Sequence, residues 1–261
     1  NMLRDYRLFE SFAYHMVNLA QQKRIDKEFD LNGTFYAFDS TTIDLCLSLY
    51  DWARFRSTKS GIKVHTQLDI RTEIPTSFTI TDAVVHDVNV MDSIAYEPFA
   101  CYIFERGYFD LRRLYHINEV SSFFVIREKR RPKYEITAGE DVLEGTDNVL
   151  QDQTIRFTGK RNCTNYPSEI RRIVYYSPEM NRTFTYYTNN FYLKASDIAL
   201  LYKNRWKLEL FFKFLKQYLR VKSFWGNSEN AVRIQIYVAI ITYCLVAIIE
   251  SELNSIGTST K

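Results

Sequence analysis

The 261-residue sequence contains few residues that break secondary structure, form disulfides or bind zinc: eight Gly, five Pro, four Cys and four His. With so little Gly and Pro it has no low-complexity linker, and it shows no internal repeat. None of the cysteines forms a C-x-x-C pair, which argues against a zinc site or a disulfide framework. We therefore expect one elaborated domain with four buried, reduced cysteines of a cytosolic protein. These are Cys46, Cys101, Cys163 and Cys244.

Long hydrophobic runs are also scarce. The most apolar run, IQIYVAIITYCLVAII from Ile234 to Ile249, has 16 residues and includes Gln235 and Thr242. A membrane span needs about 20 residues, so this run predicts a buried core helix and no membrane partner. The first residues, NMLRDYRLFESF, lack a cationic start followed by an apolar stretch, so no secretory signal is expected.

Excess charge of one sign is scarce overall, since the net charge is only +3. The cations are nevertheless concentrated: Tyr202 to Arg233 contains eight Lys or Arg against two Glu, and REKRRPK (Arg127 to Lys133) adds five. Phosphate backbones bind mainly to Lys and Arg, so a basic strip is what a nucleic-acid site requires. Most charge runs are solvated surface, however, and this pattern alone does not assign a partner.

Hydrophobic periodicity predicts a helix from Leu3 to Arg24 and further helices in HDVNVMDSIAYE and LRRLYHINEV. It also predicts a helix from Leu201 to Arg220, preceded by a cap at Ser196 with Asp197 in the first turn. Alternating or continuous apolar runs predict five strands. These are TFYAFDS, GIKVHTQLDI, IPTSFTITDA, CYIFERGYFD and SSFFVIRE.

This order of elements predicts an α/β fold with a mixed sheet. From about Lys129 to Asn190 the sequence changes to charged loops and short strand-like pieces such as QTIRFTG and RTFTYYTN, which predict a β-rich insertion. We therefore predict three segments: the first part of the core with its N-terminal helix (1–128), the insertion (129–190), and the completion of the core by helices (191–261).

One helix carries an unusual polar stripe. Tyr202, Arg205, Glu209 and Lys216 follow one another at spacings of three, four and seven. At 100° per residue these side chains share an arc of about 60°. An apolar stripe lies beside them, made by Leu201, Leu208, Phe211, Phe212, Leu215 and Leu219.

Two carboxylates follow predicted strands directly: Asp39 and Glu105. Ligands of α/β sheets gather beyond the carboxyl ends of parallel strands, and Glu209 could supply a third carboxylate there. Mg²⁺ prefers oxygen ligands, and two such ions about 4 Å apart clamp the attacking and leaving oxygens of a phosphoryl displacement. In that case Arg205, Lys216 and Tyr202 would hold phosphates.

Each signal also has an ordinary explanation. Asp39 could be a turn or cap residue, and Glu209 could pair with Lys213 at the i, i+4 spacing on an exposed helix face. Arg205 and Lys216 could be surface cations.

Taken together, these residues resemble a known family. The Y-x-x-R-x-x-x-E-x-x-x-x-x-x-K order of Tyr202, Arg205, Glu209 and Lys216 resembles the signature helix of bacterial insertion-sequence transposases of the DDE type. Further pieces along nearly the whole chain match the same group. These are YAFDSTTIDLCLSLYDWARFR, KSGIKVHTQLDI, HDVNVMD, RGYFDLRRLY, FFVIREK, DQTIRFTG, YTNNF and FWGNSENAVRIQIYVAI.

The resemblance implies a ribonuclease-H-like core, a mixed five-stranded sheet flanked by helices, with a β-rich insertion before the last catalytic helix. It implies metal-dependent hydrolysis at transposon ends and attack of the freed 3′-hydroxyl on target DNA, by a homodimer on paired ends. By motif, Asp39, Glu105 and Glu209 correspond to the catalytic ligands of two Mg²⁺ ions, for which Mn²⁺ is expected to substitute. Tyr202, Arg205 and Lys216 correspond to the DNA-binding residues.

Two features depart from the family pattern. The family has Asp directly before RGY where this chain has Glu105, and the extra methylene moves the carboxylate by up to about 1.5 Å. We therefore expect weak activity. Family members also carry a further N-terminal region that helps to recognise transposon ends, whereas this chain begins just before the catalytic core.

Two other functions stay open on the sequence. One is a degenerate transposase relative that binds double-stranded DNA without cutting it. The other is a ribonuclease-H-like nuclease or resolvase unrelated to mobile DNA, against which the signature helix argues. For the transposase, we expect a cytoplasmic protein that is associated with the nucleoid when bound to DNA.

Overall fold

The computed structural model describes residues 5–24, 31–46, 48–56, 59–129, 132–141, 147–219 and 224–258. The chain has a mixed α/β fold that divides into two compact units. Unit 1 comprises Asn1–Asp30, Asp39–His86 and Trp206–Lys261, and unit 2 comprises Leu31–Phe38 and Asp87–Arg205. The strand that carries Asp39 therefore contributes to both units.

Strands dominate the middle of the chain and helices its two ends. The helices are α1 (Tyr6–Lys23), α2 (Asp87–Val90), α3 (Leu111–Glu119), α4 (Lys160–Asn165), α5 (Ala195–Asn204), α6 (Trp206–Leu219) and α7 (Glu229–Thr258). The strands are β1 (Phe35–Leu45), β2 (Arg54–Arg56), β3 (Lys59–Asp69), β4 (Pro75–Asp82), β5 (Cys101–Phe104), β6 (Phe123–Arg127), β7 (Tyr134–Asp141), β8 (Val149–Phe157), β9 (Ile170–Ser177) and β10 (Arg182–Thr188).

In unit 2 the strands follow the order β1-β5-β6-β10-β9-β8-β7. The first three are parallel, with Phe38 opposite Phe104 and Phe104 opposite Ile126, and the remaining pairs are antiparallel. Strand β5 is buried along its whole length. Continuous apolar runs of this kind suit parallel strands that are covered on both faces.

In unit 1, strand β3 pairs antiparallel with both β2 and β4. Helix α7 is long and apolar enough to cross a membrane by length and composition. Within the unit it packs against α1 and α6, and its Tyr237 hydroxyl donates a hydrogen bond to Glu10 on α1. Its buried residues include Val232, Ile236 and Ile240, as expected for the predicted core helix.

The five predicted core strands are confirmed as β1, β3, β4, β5 and β6. Strand β1 runs further than predicted, to Leu45, so Asp39 lies within a strand and not at its end. The predicted helix in HDVNVMDSIAYE shrinks to α2 and one 3-10 turn. Strands β7 to β10 lie in the predicted insertion (129–190), whose boundaries with 1–128 and 191–261 stay predictions.

Three local predictions are wrong. Cys46 and Cys163 are exposed, whereas Cys101 and Cys244 are buried as expected. Ser196 does not cap α5, because the cap lies two residues earlier, at Lys194, which makes no side-chain hydrogen bond, and the helix begins at Ala195.

The third error concerns the helix predicted from Leu201 to Arg220. It is two helices, α5 and α6, separated at Arg205, whose backbone amide bonds to the Tyr202 carbonyl in a tighter turn. The division between the units falls between Arg205 and Trp206, so α5 and α6 bury their apolar residues in different units.

Candidate functional site

Glu105 directly follows β5 and begins a short 3-10 turn at residues Arg106–Tyr108. Its Oε2 accepts a hydrogen bond from the Gly107 amide at 3.0 Å. Its Oε1 lies 3.8 Å from the Arg127 guanidinium and 3.9 Å from that of Arg106. The carboxylate is thus drawn back towards its own backbone and flanked by two cations, and its side chain is 26% exposed.

Tyr202 belongs to the same unit and is buried near the end of α5. Its ring packs on Tyr186 with centroids 4.8 Å apart, and the Arg205 guanidinium lies 5.7 Å from its centroid. Among the described residues its buried hydroxyl makes no hydrogen bond of normal geometry. Such a hydroxyl is costly to bury, and a ligand that accepts a hydrogen bond from it would offset that cost.

Burial raises the pKa of Tyr202, and the nearby cations Arg205 and Arg127 oppose that rise while Glu105 adds to it. The phenol therefore stays protonated at physiological pH and can donate a hydrogen bond to an anion. Glu105, Arg127 and Arg205 are thus close enough to Tyr202 to influence its hydroxyl, and all four residues belong to unit 2.

Arg127 lies beside Glu105 in the candidate site, although the sequence shows it only as one cation of a charge run. It ends β6, the parallel neighbour of β5. Its guanidinium lies 5.7 Å from the centroid of Phe184, which also carries Arg182 at 5.5 Å. Its position at the carboxyl end of a buried parallel strand, one strand from Glu105, was the available signal.

Asp39 continues β1 immediately after Phe38. Its Oδ1 accepts a hydrogen bond from the Ser40 amide at 2.8 Å, and the residue is half-buried. Phe38 and Phe104 form the last register pair between β1 and β5. The two carboxylate residues Asp39 and Glu105 therefore each follow one member of that pair.

Glu209 and Lys216 lie on α6 in unit 1. Glu209 is half-buried in the first turn, and Lys216 is exposed in the last turn. The four signature residues thus do not share one continuous helix, because the break at Arg205 separates Tyr202 and Arg205 from the other two. Arg205 itself keeps helical backbone angles, so the polar stripe stays a prediction, and its apolar companions from Leu201 to Leu215 are buried as predicted.

The carboxylates fit a hard divalent ion in donor chemistry, since Mg²⁺ prefers oxygen ligands from carboxylates. In the part of the chain that the structure describes, no group of three or more His, Cys, Asp or Glu side chains is close enough to hold a metal ion. The metal-ligand role of Asp39, Glu105 and Glu209 therefore stays a prediction.

Comparison with curated proteins finds transposases of bacterial insertion sequences. The chain is 37% identical over 221 residues to a transposase of Sinorhizobium fredii, covering 84% of this chain and 61% of that protein. It is 29% identical to the transposase of insertion sequence element IS5377 from Geobacillus stearothermophilus, covering 79% and 54% of the two chains. The chain thus spans about three fifths or less of the length of these two relatives.

A further relative is the transposase for insertion sequence element IS4SA of Synechocystis, at 26% identity over 94% of this chain and 68% of that protein. Among solved structures, the piggyBac transposase in a synaptic complex with hairpin DNA matches with a TM-score of 0.50 and 12% identity, over 87% of this chain and 49% of that one. This likeness supports the ribonuclease-H-like fold. The family model described as the transposase DDE domain matches residues 31–245. The chain therefore belongs to the family of transposases with a DDE domain.

Proposed function

We propose that this chain is the catalytic domain of a cut-and-paste DNA transposase. It would hydrolyse phosphodiester bonds at transposon ends and transfer the freed 3′-hydroxyl to target DNA. One observation carries the proposal: Phe38 and Phe104, the last register pair of two parallel strands, are each followed by a carboxylate, Asp39 and Glu105. Ligands of α/β sheets bind where parallel strands end, and here the parallel pairing of β1 with β5 ends at Phe38 and Phe104, although β1 itself continues to Leu45.

Family members generally use divalent metal ions. We propose that Asp39, Glu105 and Glu209 hold two Mg²⁺ ions, with Mn²⁺ able to substitute. Such ions lower the pKa of bound water and stabilise charge on the attacking and leaving oxygens of a phosphoryl displacement. The contribution of the chain itself is to place carboxylate oxygens and to hold the DNA strand in line.

Three residues would hold the DNA backbone. Arg205 and Lys216 supply cations, and Tyr202 supplies a buried, protonated hydroxyl that makes no hydrogen bond of normal geometry among the described residues. Arg127 adds a fourth group beside Glu105. We propose that double-stranded DNA, both transposon end and target, is the partner, that a homodimer acts on paired ends, and that the protein works in the cytoplasm on the nucleoid.

The capping contact of Glu105 directs one carboxylate oxygen towards the Gly107 amide of the turn. Aspartate can make the same contact, as Asp69 does with the Arg71 amide, so the expectation of weak activity rests on the extra methylene of Glu105. A metal site tolerates displacements of only about 0.5 Å, and a misplacement of about 1 Å costs on the order of 10²-fold in rate. We propose that this chain cleaves DNA more slowly than it would with Asp at position 105.

The same contact favours a second candidate function, a transposase relative that binds DNA without cutting it. If the Glu105 carboxylate stays bonded to the Gly107 amide when DNA binds, it does not reach the metal ion and cleavage is lost. The cations beside it can still bind DNA phosphates. A third candidate, a ribonuclease-H-like nuclease, would cleave DNA but would not join the 3′-hydroxyl to a target.

The test is Mn²⁺- or Mg²⁺-dependent nicking of an end-labelled DNA duplex, followed by a strand-transfer assay. We expect nicking by the parent chain, loss of nicking in Glu209→Ala, and unchanged nicking in Glu119→Ala, which removes an exposed carboxylate of α3 in unit 2. DNA binding without nicking by the parent and by Glu105→Asp would establish the binding-only function instead. Nicking without strand transfer would establish the nuclease.

A further inference from the structure

A cluster of charged residues in unit 1 lies outside the predicted site. Glu73, in the turn between β3 and β4, contacts side chains from three helices. Its Oε1 lies 3.1 Å from the Lys207 ammonium of α6, and its Oε2 lies 3.6 Å from the guanidinium of Arg24, at the end of α1. Its carbonyl accepts a hydrogen bond from the Tyr243 hydroxyl of α7 at 2.8 Å.

The backbone of Glu73 adopts a conformation that is uncommon for glutamate. Its φ is 58°, in the left-handed region, where Gly or Asn is favoured and other residues are strained. The turn is closed by a hydrogen bond from the Glu73 amide to the Asp69 carbonyl at 2.8 Å. A glycine would satisfy this turn, but it would supply no carboxylate to Lys207 and Arg24.

Lys207 is fixed at two points on the same turn. Besides its ion pair with Glu73, its ammonium donates a hydrogen bond to the Ile70 carbonyl at 3.2 Å. Its side chain is only 18% exposed, so the pair is partly shielded from water. Such a pair is less screened by salt than an exposed one. The β3–β4 turn therefore holds the second residue of α6.

Lys207, which contacts the β3–β4 turn, lies in the same helical turn as Glu209. Glu209 follows two residues later in the first turn of α6. At 100° per residue, side chains two positions apart point to opposite sides of a helix. Lys207 therefore holds the side of the helical turn opposite Glu209. Its contacts can fix the position and the rotation of that turn, and so the position of the Glu209 carboxylate, without touching the carboxylate.

We infer that Glu73 is a positioning residue: through Lys207 it fixes the first turn of α6 and so places the Glu209 carboxylate for the divalent metal ion. This inference rests on the proposed function, because it assigns Glu209 as a metal ligand. Residues that orient metal ligands without touching the ion commonly change metal affinity by 10- to 100-fold when they are replaced. The carboxylate of Glu73 thus acts in metal binding from outside the site.

The test measures Mn²⁺ binding by the full chain without DNA, from the electron paramagnetic resonance signal of free Mn²⁺. We expect Glu73→Gln to bind Mn²⁺ about tenfold more weakly than the parent. The matched control is Glu252→Gln, which removes the Lys23–Glu252 ion pair between α1 and α7, exposed at 55% and 56%. That control should bind like the parent, and Glu209→Ala should lose binding.

A second pair of variants separates anchoring from general stability. Lys207→Met should weaken Mn²⁺ binding as much as Glu73→Gln, the double variant should be no weaker than either single one, and Lys207→Arg should retain parent affinity. If Glu73→Gln unfolds, which circular dichroism would show, Lys207→Met alone decides the question.

The outcomes distinguish the two proposals. Parent-like binding in Glu73→Gln or in folded Lys207→Met, with binding lost in Glu209→Ala, would overturn the positioning role and leave the proposed function intact. Parent-like binding in Glu209→Ala, or no binding by the parent, would remove Glu209 as a metal ligand and the positioning role with it.

Discussion

Glu105 and Glu209 are both predicted metal ligands, but the chain holds them in different ways. Glu105 is fixed by its immediate surroundings: the Gly107 amide two residues later, Arg106 beside it and Arg127 one strand away. Glu209 lies on a helix whose first turn is tied through Lys207 to Glu73, more than a hundred residues earlier. A strand-end carboxylate is thus set by local backbone, whereas a helix-borne carboxylate depends on distant anchors.

The largest expected effect comes from removing a ligand altogether. Asp39→Asn retains the size of the side chain and its bond to the Ser40 amide but loses the charge that a metal ion requires. We expect nicking to fall by at least about 10³-fold, because metal catalysis supplies several kcal/mol. The rate of Mn²⁺-dependent nicking is the measurement, and Asp44→Asn, also on β1, serves as the control. Nicking within tenfold of the parent would contradict the assignment of Asp39.

The second effect concerns the strand-end carboxylate. Glu105→Asp shortens the side chain by one methylene and shifts its oxygens away from the parent position. We expect nicking to rise by about 10²-fold, the factor associated with a misplacement of about 1 Å. Single-turnover rates at saturating Mn²⁺, with the protein in saturating excess over the DNA, measure this change without a contribution from DNA affinity. No gain in rate would remove the argument that Glu105 limits the reaction.

A smaller effect is expected at Arg127, which would contact DNA as well as Glu105. Arg127→Met retains an apolar stem for packing on Phe184 but loses the cation. DNA affinity should fall by about tenfold. The slope of log affinity against log salt concentration should become less steep by about the amount that one phosphate contact contributes. Filter binding at several salt concentrations gives both values. An unchanged slope would show that Arg127 serves Glu105 alone.

The smallest effect is expected at Tyr202. Its hydroxyl makes no hydrogen bond of normal geometry among the described residues, so Tyr202→Phe should change the free energy of unfolding by less than about 0.5 kcal/mol. DNA affinity should still fall, by about fivefold, for the loss of about 1 kcal/mol. Because the pKa of Tyr202 is raised by burial, this difference should persist up to about pH 10. A large loss of stability with unchanged DNA affinity would make Tyr202 a structural residue.

The sequence predicts the strands well, because β5, β6 and the first four residues of β1 are short continuous apolar runs, which suit buried parallel strands. Capping likewise depends on neighbours in the sequence: Asp110 caps α3 by accepting a hydrogen bond from the Arg113 amide. Predictions fail where the outcome depends on distant contacts. The 3.6-residue periodicity of residues 201–220 cannot show that its apolar side chains pack in two different units.

The same limit explains the residues that sequence reasoning missed. Glu73 is one acid in a polar turn, and nothing near it in the sequence shows that Lys207 and Arg24 meet it there. Cys46 and Cys163 were expected to be buried because free cysteine usually is, but their exposure follows from their place in loops and a short helix. Short-range sequence patterns therefore predict helices and strands, whereas ion pairs between residues far apart in the sequence are seen only in the folded structure.

The central claim, that Asp39 and Glu209 bind the catalytic metal ion, is tested most directly by replacing each with cysteine. A thiolate binds Mg²⁺ poorly but accepts softer ions. The account predicts that Asp39→Cys and Glu209→Cys lose nicking in Mg²⁺ and regain it in Mn²⁺ or Cd²⁺, while DNA binding stays at the parent level. Parent-level nicking in Mg²⁺ by either variant would contradict the claim for that residue.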